Sequence, residues 1–90
     1  MFKRCKSSHS RDVISLDINK DNNLVTASVD NVICFWKSFT GVESKSVKIP
    51  EEIASTAKGQ QVSYVKFPFK NKKDYLLVAI NNGDLYILET

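Results

Sequence analysis

Three side chains in the first third of the sequence could in principle do bond-breaking chemistry together: His9, Ser28 and Asp30. An imidazole, a hydroxyl and a carboxylate are the ingredients of a hydrolase triad, in which the histidine takes the serine proton and the carboxylate orients the ring. A triad also needs donors for the oxyanion, and no G-x-S-x-G loop is present to supply them. The sequence holds one histidine, no cluster of metal ligands and no phosphate-binding loop. The expectation is a non-enzymatic protein with no cofactor and no metal.

The cations form two groups. Lys3, Arg4 and Lys6 lie near the N-terminus, and Lys66, Lys70, Lys72 and Lys73 lie in the second half. They read either as solvated strand ends and a loop or as a docking patch for an acidic partner. Phe67 and Phe69 interleave with Lys66 and Lys70. Such rings can stack on nucleic-acid bases, or they can pack a core. The net charge of +3 is too small to imply nucleic-acid binding by itself.

Composition sets the frame for these residues. The 90 residues are 42% hydrophobic and 26% charged, as in a soluble globular protein and unlike a disordered one. The longest apolar stretch, residues 75–80, is far too short for a membrane-spanning helix, so no membrane insertion is expected. The basic N-terminus has no apolar run behind it and does not read as a secretory signal. Two cysteines, Cys5 and Cys34, are too few for a disulfide framework. Reduced thiols point to a cytoplasmic or nuclear location.

The elements that must hold these residues are strands. Apolar residues recur with a period of two over 13–18, and residues 24–28 and 32–36 are rich in β-branched and aromatic side chains. The polar run 19–23 and the pair Asp30-Asn31 read as turns. Strands two and three are apolar on both faces, as in a sheet covered on both sides. Residues 45–49 alternate like a half-exposed edge strand that Pro50 ends. Residues 50–59 could form one or two helical turns, since a proline and two glutamates suit a helix start, or a plain surface loop. Strands return at 62–67, 75–80 and 85–88, with Asn82-Gly83 as a hairpin turn between the last two.

The second half repeats the first. Aligning Asp30-Asn31 with Asn82-Gly83, an offset of 52 residues, superimposes strands 24–28 and 76–80 and then 32–36 and 84–88. Repeats of roughly 40 to 50 residues with four strands point to propeller blades. On the first repeat the chain resembles the WD40 family. It carries His9 before the first strand, Ser28 in the second, Asp30 in the following turn and Trp36 ending the third. Thr26 is an alternative to Ser28 as the family hydroxyl, and Lys37 stands where an aspartate usually follows the tryptophan. In the second repeat Gln60, Ile80, Asn82 and Leu88 fall at the four signature positions, so the shape is kept and the signature is lost.

The resemblance implies an all-β fold of two antiparallel four-stranded β-propeller blades forming part of a larger ring. An outer strand would span about residues 2–6, blade one about 13–49 and an incomplete blade two about 62–88 of a partial propeller over residues 1–90. It implies a structural network: Asp30 accepts from N–H groups of its own turn and from the His9 imidazole, His9 touches Ser28, and Ser28 accepts from the Trp36 indole. Each buried polar group then has a partner. The expected function is a protein–protein interaction scaffold, as a C-terminal or truncated propeller fragment within a multiprotein complex. Its partners would be other proteins or further blades, with self-assembly as a competing outcome. The candidate contact residues are Arg11, Lys70, Lys72 and Lys73, and the loops over 8–12, 29–31 and 50–61. A nucleic-acid-associated propeller using Lys66 to Lys73 is the alternative.

Overall fold

The computed structural model describes residues 9–37, 41–68 and 75–89. The expected outer strand at 2–6 lies outside the described residues, as do Phe69, Lys70, Lys72 and Lys73. The described chain is all-β, with two antiparallel sheets and one 3-10 turn. Sheet 1 has four strands in the order β1 (Val13–Ile18), β2 (Asn23–Ser28), β3 (Val32–Lys37) and β4 (Val42–Lys48). Sheet 2 has three, β5 (Val62–Lys66), β6 (Tyr75–Ile80) and β7 (Leu85–Glu89). Both are simple meanders, in which each strand pairs with the next in sequence. Among the described residues no helix is long and apolar enough to cross a membrane.

Two details differ from the sequence pattern. The fourth strand starts at Val42 rather than near residue 45. Gly41, at φ 67°, turns the chain directly into it, and a bulge between Phe35 and Trp36 lets Val42 and Glu43 reach β3 in register. Between the sheets, residues 51–54 form turns and Thr56–Lys58 a single 3-10 turn. The helical and loop readings of 50–59 are thus each partly met, because a segment this short cannot sustain an α-helix.

The internal repeat extends to register and hydrogen bonding. Val13 pairs with Ser28 and, after a bulge, Ser15 with Ala27 and Leu16 with Thr26. Val62 pairs with Ile80 and, after the same bulge, Tyr64 with Ala79 and Val65 with Val78. The β2–β3 and β6–β7 pairs then correspond residue for residue. Each turn is closed in the same way. Asn31 N–H donates to Ser28 C=O (3.1 Å) as Gly83 N–H donates to Ile80 C=O (3.0 Å). The Val32 N–H meets the Asp30 carboxylate (3.2 Å) as the Asp84 N–H meets the Asn82 amide oxygen (3.0 Å).

The sheets pack face to face through one core. Val25, Ala27, Ile33 and Phe35 of sheet 1 meet Val62, Val65, Leu76, Val78 and Ile80 of sheet 2, with Phe67 following β5. Burying a side chain of this size contributes roughly 1.5–3 kcal/mol, so this junction is the main source of apolar stabilisation. The sheets are closest where β5 lies against β1 and β2. They splay toward β4 and β7, where Ile49, Ile53 and Ala54 fill the wedge. An apolar cavity of about 110 Å³ remains there, lined by Ile33, Val47, Ile49, Val78, Tyr86 and Leu88.

Candidate functional site

Strand register decides which polar side chains can meet. Leu24 opposes Trp36 and Thr26 opposes Cys34, so Thr26, Ser28, Cys34 and Trp36 share the face of sheet 1 turned away from sheet 2. The Trp36 indole lies diagonally across from Thr26 and donates to its Oγ1 at 2.9 Å. His9 Nε2 lies 2.7 Å from that same oxygen. The Thr26 hydroxyl donates to Nε2 when that nitrogen is bare and accepts from it when it carries a proton. On the other side of the ring, Nδ1 is 3.9 Å from Cys34 Sγ.

The second half of the network is centred on Asp30. Its Oδ1 accepts from the Ser28 hydroxyl and from the Val32 N–H, and its Oδ2 from the Ser10 hydroxyl (2.9 Å) and the Ser10 N–H (3.3 Å). Burial raises the carboxyl pKa. The hydrogen bonds from Ser28, Ser10 and Val32 together outweigh it and hold the group at about 2, below its ordinary 3.8.

Against the expected wiring, the partners are redistributed. Ser10 rather than His9 reaches Asp30, and Thr26 rather than Ser28 accepts from Trp36. Ser28 is turned toward Asp30 at the end of β2, out of the indole's reach, and its hydroxyl does not address the imidazole. His9, Ser28, Asp30 and Trp36 thus belong to two adjoining clusters joined through the His9-Ser10 peptide.

A third set of bonds carries the turn across to sheet 2. Asn31 is fully buried and sits at φ 62°, a left-handed conformation that asparagine tolerates better than most residues. Its amide donates to the carbonyls of Ala54 (3.3 Å) and Gln60 (3.1 Å), and its side-chain oxygen accepts from Val62 N–H at 2.9 Å. Ser15 Oγ and the Asp17 carboxylate, both on β1, accept from the N–H groups of Val65 (3.0 Å) and Phe67 (2.8 Å) on the free edge of β5. An edge strand otherwise presents unpaired donors. Sequence reading found Asn31 only as a turn residue. Its preference for positive φ was visible, but its burial depends on packing between the sheets.

Over the braced turn three loop segments converge. Arg11 before β1, Val29 and Asp30 from the β2–β3 turn, Lys48 at the end of β4, and Thr56, Gly59, Gln60 and Gln61 line a polar groove of about 400 Å³. The expected loops at 8–12, 29–31 and 50–61 therefore contribute to one surface. Lys48 Nζ donates to the Asp30 carbonyl at 2.8 Å, and Arg11 is exposed. The groove is thus cationic at Arg11 and Lys48, while the Asp30 carboxylate beneath is already saturated with donors. Phe67 is buried in the core and offers no stacking surface to a base. Among the described residues no group of three or more potential metal ligands comes together.

No protein-family model matches the sequence, and no curated protein matches it significantly.

Proposed function

We propose that the chain supplies two WD40-like propeller blades and serves as a protein–protein interaction scaffold, binding partners through the loop groove at Arg11. The observation that carries this reading is the convergence of the three loop segments over one hydrogen-bonded base. Binding residues placed on a rigid support lose little entropy when a partner engages them. The paired clusters around Thr26 and Asp30 support the WD40 likeness, and the repeated meander with its shared bulge and turn supports two blades. The cationic rim suits an acidic or carbonyl-rich protein segment.

Crosslinking of the purified chain to its interactors, followed by titration of each identified protein, tests the reading. The expected result is saturable binding of a protein that weakens about tenfold, or about 1.4 kcal/mol, with Arg11→Glu. Protein binding indifferent to Arg11, or salt-dependent binding of oligonucleotides in its place, refutes it.

A further inference from the structure

The floor of the Arg11 groove is held from both sheets. Gln61 N–H donates to Asn81 Oδ1 (3.0 Å), Asn81 N–H donates back to Gln61 C=O (2.9 Å), and Asn81 Nδ2 donates to Gly59 C=O (3.1 Å). Gln60 is fixed as well, its Oε1 accepting from Ser55 N–H (3.0 Å) and its carbonyl from the Asn31 amide (3.1 Å). Three charged side chains line the groove above this floor: Arg11 and Lys48 are cations and Asp30 is an anion. Their hydrogen bonds keep Asp30 at about 2, so it is ionised at neutral pH. The lining therefore carries a net single positive charge. Lys48 Nζ has three N–H groups, and the Asp30 carbonyl takes only one of them.

We propose that this groove is a site for one carboxylate of a protein partner, from an acidic side chain or a chain end, and that Asp30 selects against doubly charged groups such as a phosphate. The assignment rests on the reading that partners enter at Arg11, and it narrows what they present there. The planar fork of the Arg11 guanidinium matches the two oxygens of a carboxylate. Lys48 adds its remaining N–H groups, and the Gln61 amide can donate without adding charge. A single carboxylate balances the net charge of the lining. A phosphate dianion exceeds it and meets the Asp30 charge with twice the repulsion. Both Asp30 oxygens already accept from Ser28, Val32 and Ser10. Asp30 therefore acts on the ligand through its charge, as a specificity-determining residue.

Nitrogen-15 NMR of the labelled full chain tests this with three small probes at mildly alkaline pH. N-acetylglycine presents a chain-end carboxylate, the α-amide of N-acetylglutamate a side-chain carboxylate, and methyl phosphate a dianion. At least one carboxylate is expected to shift the Arg11 Nε–H and Gln61 side-chain signals saturably, and the tighter of the two identifies the source. Methyl phosphate is expected to bind no tighter, despite its second charge. Coulomb energy scales with ligand charge, so Asp30→Asn should tighten methyl phosphate by about tenfold where it tightens the carboxylate by about threefold. Lys48→Met should weaken the two in the same proportion and leaves the Asp30 carboxylate in place. Far-UV circular dichroism checks that both variants keep the fold. Carboxylates that leave the Arg11 signal unmoved overturn the proposal. So does tighter phosphate binding to the wild type, or equal factors for the two anions in the variants. The probes contain no protein, so their failure leaves the Arg11 dependence of a crosslinked partner standing. Carboxylate binding alongside a partner indifferent to Arg11 overturns the wider reading alone.

Discussion

Replacing Asn31 tests the junction between the sheets at its most loaded point. In Asn31→Gly the buried Val62 N–H loses its acceptor, at a cost of about 1–2 kcal/mol, and the Ala54 and Gln60 carbonyls each lose a donor, at about 0.5–1 kcal/mol. The expected loss is about 3 kcal/mol. A domain of this size is stable by only about 5–13 kcal/mol. Asn31→Ala makes the same deletions and adds roughly 1 kcal/mol, because alanine must hold φ near 62°. Asn31→Asp keeps the acceptor for Val62 but turns a buried carboxylate toward two carbonyl oxygens. It is expected to be the least stable at neutral pH and to recover partly in acid, where the protonated carboxyl can donate. Urea unfolding followed by Trp36 emission gives the stabilities, and amide exchange at Val62 reports the local bond. The reasoning is refuted if Asn31→Gly lies within about 0.5 kcal/mol of wild type with the Val62 amide still protected.

Thr26→Val removes the acceptor of the indole and the partner of His9, so it should destabilise by about 2 kcal/mol and shift Trp36 emission; Ser28→Ala should leave that emission unchanged. Asp30 has a folded pKa of about 2 against an ordinary 3.8, so its contribution to stability is complete above about pH 4 and is lost as pH falls toward 2. The shift corresponds to at most about 2 kcal/mol, nearer about 1 once solvent screening of this partly exposed group is allowed for. Acid titration of wild type against Asp30→Asn checks this, the variant being the flatter over that window. Ser15→Ala should cost about 1 kcal/mol and speed exchange of the Val65 amide specifically, since that bond closes the free edge of β5.

The strands and turns were legible because local chemistry decides them. Alternating apolar residues, Asp30-Asn31 and Asn82-Gly83 specify hairpins wherever the sheets end up in space. The start of β4 was hidden because it depends on the bulge at Phe35 and Trp36, a feature of pairing rather than of composition. The partners taken by His9, Ser28, Asp30 and Trp36 were not legible. Thr26 and Ser28 point to the same face of β2, and only the diagonal reach of the Trp36 ring selects Thr26. Ser10 gave no signal, because a serine beside a histidine is unremarkable in sequence. The Arg11 groove was visible as three separate loops, but their convergence follows from the seating of one sheet on the other.

The polar bonds at the junction run in one direction. Asn31, Ser15 and Asp17 contribute side chains from the first unit, whereas the second unit contributes to them only backbone groups, at Ala54, Gln60, Val62, Val65 and Phe67. A backbone N–H or C=O survives almost any substitution of its own residue, but a side-chain partner does not. Substitutions in the first half of the chain therefore cost this contact more than substitutions in the second half that keep its apolar face. The second repeat keeps the register, bulge and turn of the first, yet carries Gly83, Tyr64 and Lys66 where the first carries the junction residues Asn31, Ser15 and Asp17. A scan of single substitutions should find tolerance distributed in the same lopsided way.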